Sequence, residues 1–550
     1  MKRSARILAC MAALAAATAV DHASAGDAGD AALQAIVDQR LLGDRTGACL
    51  AVAVVEKDSV ARSYRCADPA NAGRVDADTA FEIGSVSKTM TAVLLADLIV
   101  QGKASLDDPL SAWLPEGTAV PAFEGEPILL RHLVTHTSGL PALPSRLGAA
   151  SMADPYAALT EEALLASLAD VTLARPPGSQ FEYSNFASML LSYALARRTG
   201  SDFETLLRQR LFAPLGMDKA YVRAMPEGVR PAVGHLPNRL PTPAWTLATN
   251  LAGVGGVRAT LDDMVRYVQG NLGLVETPLS GAIALAQRQV SEQPPVAMNW
   301  MLARAGERTV HVHEGGTGGF SAFVSVDLER QRGVVILSDT TWNSIGSLGS
   351  LGLHLVDSSF PLGKPRKVVA PPQELLEALA GDYQLQGAMK MQLRARDGRL
   401  FIHPAGQPEF EMGYDNAGDF FPLAFDAVLR PQKNSRGDYG FLWLQMGGAA
   451  PAVRIDADAP AAPALSDAQI AAYAGDYPLM PGFVLTVRGR DGRLYAQATG
   501  QGEFPLDATG TDTFEAAAYG IGIVFRRGAD GEVSALDLQQ GGQTLSGQRQ

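Results

Sequence analysis

The chain has 550 residues, with 46 lysines and arginines against 58 aspartates and glutamates, a formal net charge of −12. The length calls for more than one domain, and the acidic balance argues against a nucleic-acid partner. Residues 1–25 read as a secretory signal peptide. Lys2, Arg3 and Arg6 make a basic start, Ile7 to Val20 is apolar, and Ala23-Ser24-Ala25 fits a small-residue cleavage site. Cys10 falls too early in the apolar run for lipoprotein processing. No later stretch approaches the roughly 18 apolar residues of a membrane span. A periplasmic or secreted protein without a stable span is therefore expected.

Two cysteines, Cys49 and Cys66, remain beyond the signal. They end two β-rich runs, Ala48 to Val55 and Val60 to Arg65, around Lys57-Asp58. A two-residue hairpin loop there puts Cys49 opposite Cys66 on a non-hydrogen-bonded pair, where side chains are closest. A cross-strand disulfide is expected, with two buried thiols as the alternative.

Phe81-Glu82-Ile83-Gly84-Ser85-Val86-Ser87-Lys88-Thr89 precedes a run to Gly102 that is apolar on nearly every face. Ser85 and Lys88, three apart on a helix, share a face. That pairing suits a nucleophile and the group that takes its proton. Burial of the helix lowers the pKa of Lys88 toward neutrality. Alone the motif is weak.

His136, in Thr135-His136-Thr137-Ser138-Gly139, reads as structural, its neighbours suiting a helix end and a turn. Helices are expected over Glu161 to Leu168, Ser188 to Thr199 (both amphipathic) and Phe203 to Leu211. Between the first two, an extended loop presents Tyr183 and Asn185 on alternate residues. A phenol beside an ammonium has a lowered pKa and can accept a serine proton; an amide can bind substrate. A loop aromatic and a capping Asn is the plainer alternative. Gly253, Gly255 and Gly256 lead into Thr260-Leu261-Asp262-Asp263, a glycine-rich turn before a capped helix. His311-Val312-His313-Glu314-Gly315-Gly316 begins a strand region whose glycines imply a close backbone visitor. A substrate is one such visitor, its oxyanion held by the N–H groups of Ser85 and Gly316. His311-x-His313 lacks a third ligand at recognisable spacing, so no metal is expected.

Ser85-x-x-Lys88, Tyr183-Ser184-Asn185 and His313-Glu314-Gly315, in that order, resemble the motif set of the serine β-lactamase and penicillin-recognising enzyme superfamily. The likeness is to its class C β-lactamase, esterase and D-aminopeptidase branch, and covers roughly residues 30–360. It implies an α+β catalytic domain, an antiparallel sheet flanked by a helical domain. It implies that Ser85 is acylated, that Lys88 and Tyr183 handle protons, that Asn185, His313 and Gly315 bind substrate, and that no cofactor is required. His313 stands where the β-lactamases have the lysine of K-T-G. A lysine is a permanent cation for a substrate carboxylate, whereas histidine is neutral or charged with pH. That departure tilts the expectation from β-lactams toward peptides or esters.

Between and after Pro/Ala-rich stretches at 361–372 and 457–466, an internal repeat appears. Ala380-Gly381-Asp382-Tyr383 recurs as Ala474-Gly475-Asp476-Tyr477, Arg396-Asp397-Gly398-Arg399-Leu400 as Arg490-Asp491-Gly492-Arg493-Leu494, and Phe420 as Phe514, all 94 residues on. Alternating polarity and Asp-Gly turns make each unit a small antiparallel β-barrel. This extension resembles that of bacterial D-aminopeptidases, where a barrel loop limits the substrate; spacers or partner-binding modules are the alternative here.

The expected divisions are a signal peptide (1–25), a β-lactamase-like serine hydrolase domain (26–360) and two β-barrels (372–456 and 466–550). The expected function is an exported serine hydrolase acting through an acyl-enzyme on small peptides or amides, possibly containing D-residues. A carboxylesterase or β-lactamase is the alternative, followed by a sensor acylated without turnover. Oligomeric state is left open.

Overall fold

The computed structural model describes residues 25–550 except 149–150, 152, 237–238, 293, 342–347, 386–389, 425–426, 434–437, 446–447, 456–464, 481–482, 491, 500–502, 517–520, 529 and 541–542. The expected signal peptide, save Ala25, lies outside the described residues, as does most of the 457–466 linker. Among the described residues no helix is long and apolar enough to cross a membrane.

One antiparallel sheet is assembled from both ends of the first 360 residues. It takes β1 (Cys49–Val55) and β2 (Val60–Cys66) from the start. From the end it takes β3 (Met301–Ala305), β4 (Arg308–Gly316), β5 (Ser321–Asp327) and β6 (Arg332–Ser338). After two short edge strands the spatial order is β3-β4-β5-β6-β1-β2. Every residue of β1 is buried, because the sheet is covered on both faces. Successive side chains point to opposite faces. Cys49, Ala51 and Ala53 therefore join the larger core, while Leu50, Val52 and Val54 pack with α1 (Ala25–Leu41). The hairpin pairs Cys49 with Cys66. Ala67 N–H donates to Ala48 O and Glu56 N–H to Ser59 O, so the cysteines occupy a non-hydrogen-bonded pair. Their sulfurs are joined in a disulfide.

On the larger core lie α2 (Ser87–Val100), α3 (Asn185–Thr199) and α4 (Leu261–Asn271). The other face carries α1 and α5 (Gly349–Val356). α3 departs from the amphipathic helix expected over Ser188 to Thr199. It starts at Asn185, because Ser184 Oγ caps it by accepting Ala187 N–H at 3.0 Å. It is also buried nearly all round, from Phe186 to Ala196. α4 begins with a capping box in which Thr260 and Asp263 bond each other's backbone N–H groups.

The repeat folds as two eight-stranded antiparallel units. The first is a closed barrel; in the second, Gln550 N–H returns to Asp476 O beside the opening strand. Helices α6 (Gln373–Leu379) and α7 (Asp467–Tyr473), 94 residues apart, precede them. The repetition extends to contacts. Tyr383 and Tyr477 donate to the carbonyls of Leu379 and Tyr473. Arg454 binds the carbonyls of Ala378 and Ala380, and Arg549 those of Ala472 and Ala474.

The stretch 361–372, expected as a linker, is docked rather than free. Arg45 N–H donates to Arg366 O at 2.7 Å, and Arg366 N–H to Asp44 Oδ2 at 3.2 Å. The Arg366 guanidinium binds Asp415 and Asp419 of the first barrel at 3.2 and 3.1 Å. Arg45 reaches the same Asp415 and stacks 3.4 Å over the Phe421 ring. The second barrel has Thr509, Thr513 and Glu515 at the positions 94 residues on, so it lacks this docking set.

Candidate active site

Ser85 sits in a single 3-10 turn, Gly84–Val86, that feeds directly into α2. Gly84 has φ +50, a conformation that costs a residue with a side chain. Ser87 ties the turn down, donating to Gly84 O at 2.7 Å and accepting Val257 N–H at 3.2 Å. Around Ser85, itself partly exposed, every neighbour from Phe81 to Met90 is buried. Lys88 Nζ lies 2.8 Å from Ser85 Oγ and donates to Val254 O at 2.7 Å. Among the described residues no carboxylate accompanies it. Burial therefore pushes the amine well below the ordinary lysine range, because neutral dipoles do not repay the desolvation of an ammonium. A neutral amine at hydrogen-bond distance from a serine is a competent base.

Tyr183 closes the other side, its hydroxyl hydrogen-bonded to Ser85. Its ring stacks on His136 at 4.3 Å, with Lys88 Nζ 4.9 Å from the ring centre. The expected lowering of its pKa is reversed: burial pushes the phenol up. The expectation relied on a neighbouring ammonium, and the buried Lys88 does not supply one. Tyr183 thus keeps its proton and is a donor. His136 is fully buried with φ +55, and its Nδ1 accepts Ser184 N–H at 3.2 Å. It is structural, and it also sets the plane of Tyr183. Asn185 Nδ2 donates to the Tyr156 hydroxyl at 3.3 Å. Its buried Oδ1 lacks a partner among the described residues, leaving an acceptor.

The glycines of β4 are needed by the protein itself. A Cβ on Gly315 would lie 2.0 Å from Ile83 O, and one on Gly84 would lie 2.6 Å from Gly316 N. The visitor expected at this strand is thus the nucleophile turn, whether or not substrate also approaches. Register decides where Gly316 points. Thr317 N–H bonds Phe320 O, so the next pair, Gly316 and Ser321, is non-hydrogen-bonded. The Gly316 N–H and C=O consequently face away from β5. The pairing of β3 stops at Val312, so among the described residues that side is an open edge. Gly316 N–H is available there, beside Ser85.

His313 is buried, and burial lowers its pKa to about 3. Nδ1 lies 2.7 Å from Glu314 O and so carries the proton. Nε2 is left as a bare acceptor, unpartnered among the described residues. His311, on the same face, bonds Gln287 O at 2.8 Å. Among the described residues no His, Cys, Asp and Glu cluster is arranged to hold a metal. Sequence reasoning missed the Lys88 contact to Val254 and the Tyr183–His136 stack. The glycines at 253, 255 and 256 were a signal for the first; nothing local marked the second.

A serine at hydrogen-bond distance from a buried lysine, beside a tyrosine and an open strand edge, is the arrangement of a serine hydrolase of the penicillin-recognising type. The β-lactamase family profile matches residues 33–343, and the chain belongs to that family. A domain of unknown function (DUF3471) matches residues 459–549. The D-alanyl-D-alanine-carboxypeptidase/endopeptidase AmpH of Escherichia coli K12 is 33% identical over 272 residues, 49% of this chain and 69% of that protein. A β-lactamase of the same organism is 29% identical over 321 residues, 50% of this chain and 79% of that protein. The β-lactamase/D-alanine carboxypeptidase of Pseudomonas syringae superposes with a TM-score of 0.51 at 22% identity, over 61% of this chain and all of that one; this shows the fold.

Proposed function

We propose an exported serine hydrolase that forms an acyl-enzyme at Ser85 and acts on small peptides or amides, those with D-residues among them. The observation that carries the reading is the 2.8 Å approach of the buried Lys88 amine, its pKa pushed well down by burial, to Ser85 Oγ. Ser85 Oγ attacks the substrate carbonyl as its proton passes to Lys88. The oxyanion is held by Ser85 and Gly316 N–H groups. The C–N or C–O bond then breaks, and the leaving group takes the Tyr183 proton, which the Lys88 ammonium replaces. Water repeats the sequence on the acyl-enzyme, releasing the acid and restoring Ser85.

Esters are the second substrate class, favoured by the neutral His313, which offers no fixed cation to a substrate carboxylate. Export rests on the signal-like residues 1–25. The test is a panel of D- and L-aminoacyl anilides, short acyl esters and a chromogenic cephalosporin, with Ser85→Ala as the blank. The reading requires turnover of at least one class that vanishes in Ser85→Ala; a blank with full activity would refute it. A lasting adduct without turnover would mark a sensor instead.

A further inference from the structure

Because the pairing of β3 stops at Val312, β4 runs on from His313 to Gly316 with nothing paired on that side among the described residues. In the notch lies a recess of about 300 Å3. Tyr183 and His313 border it from the Ser85 side; Met301, Val312, Phe323 and Leu353 of α5 make its walls. The scissile carbonyl is placed by Ser85 and the Gly316 N–H. The recess lies two to four residues back along β4 from Gly316, next to Tyr183, the group that protonates the departing atom. It therefore lies on the leaving-group side.

We infer that this recess receives the leaving group, and that it selects an uncharged apolar alcohol or amine over one bearing a carboxylate. The inference rests on Ser85 being the acylated nucleophile, and names the substrate class of that site. Four of its eight lining residues, Met301, Val312, Phe323 and Leu353, present hydrocarbon or thioether. The carboxyl at its border, Glu314, whose pKa burial raises, accepts the Gly349 N–H at the start of α5 and offers a substrate carboxylate no positive charge. His313 is kept neutral by burial. Between Arg332 and Lys364, the stretch that contains α5, the sequence holds no lysine or arginine. A carboxylate entering the recess would lose water and meet no cation, which is strongly unfavourable. An alkyl chain would gain from the same desolvation.

The test holds one N-acetyl-D-alanyl acyl group fixed. Its methyl, propyl and butyl esters, and its amides with D-alaninamide and D-alanine, are compared by kcat/KM. A rise of about fourfold per methylene is expected, with D-alaninamide at least tenfold better than D-alanine as leaving group. Leu353→Arg, or Met301→Lys as a second route to the same charge, should shift the alanine-to-alaninamide ratio at least tenfold toward alanine. Labelling of Ser85 by a small fluorophosphonate checks that each variant is folded. Turnover that depends on Ser85 but shows a flat ester series or equal use of D-alanine overturns this inference alone. Absence of Ser85-dependent turnover with every member overturns the acyl-enzyme reading and this inference with it.

Discussion

At the scale of single residues, the proposed reaction rests on Lys88 as an amine base, its pKa pushed down by burial, and on Tyr183 as a phenol that keeps its proton. Lys88→Met should lower the Ser85 acylation rate by about 10²–10⁴, the usual worth of a positioned base. It should also raise the melting temperature at pH 7. The folded pKa of Lys88 lies below its unfolded value, so the unfolded chain binds a proton the folded chain does not, and that costs stability at neutral pH. Calorimetry and stopped-flow acylation check the two halves together. Tyr183→Phe should cost far more with an anilide than with a p-nitrophenyl ester, whose leaving group needs no proton; equal losses would contradict the donor role. Ser85 and Lys88 were legible in the sequence because i and i+3 meet on any helix. The protonation of Tyr183 was not, because it depends on whether Lys88 is charged, and that depends on burial.

At the scale of elements, the close approach of β4 to the nucleophile turn explains Gly84 and Gly315 at once. Gly315→Ala forces a Cβ against Ile83 O and should destabilise by at least ~1–3 kcal/mol, with loss of Ser85 labelling. Denaturant unfolding gives the first number. His136 and His313 give this region its acid sensitivity. Both rings titrate below the ordinary 6.5, His313 at about 3, because burial disfavours the charged form. Stability present above about pH 6.5 is therefore lost as pH falls through that window, by up to ~1.4 kcal/mol per pH unit for each ring. His313→Asn should flatten that slope in a pH series of denaturation midpoints. The β1–β2 hairpin was readable from pair counting around Lys57-Asp58. The true start of α3 was harder to see, since Ser184 looked like part of the Tyr183 loop and only its hydrogen bond to Ala187 marks it as the cap.

At the scale of the whole molecule, the 94-residue repeat announced two like units, and its cause is physical: the same Asp-Gly turns and alternation dictate the same strands. The docking of the first unit was not legible. Arg45, Arg366, Asp415 and Asp419 are dispersed over hundreds of residues, and only the fold brings them together. Their burial makes them unforgiving, because removing one partner strands the others. Asp415→Ala should cost about 3–5 kcal/mol and separate the first barrel's unfolding from that of residues 26–360 in calorimetry. Thr509→Ala, its counterpart in the second barrel, should leave the thermogram unchanged.

The claim on which the account turns is that a neutral Lys88 activates Ser85. It is tested most directly by the pH dependence of Ser85 acylation by a p-nitrophenyl ester, with the adduct mapped by mass. A single limb, rising with pH around a midpoint well below the ordinary lysine value of 10.5, is the predicted result. A midpoint at that ordinary value, or an adduct on any residue other than Ser85, would contradict it.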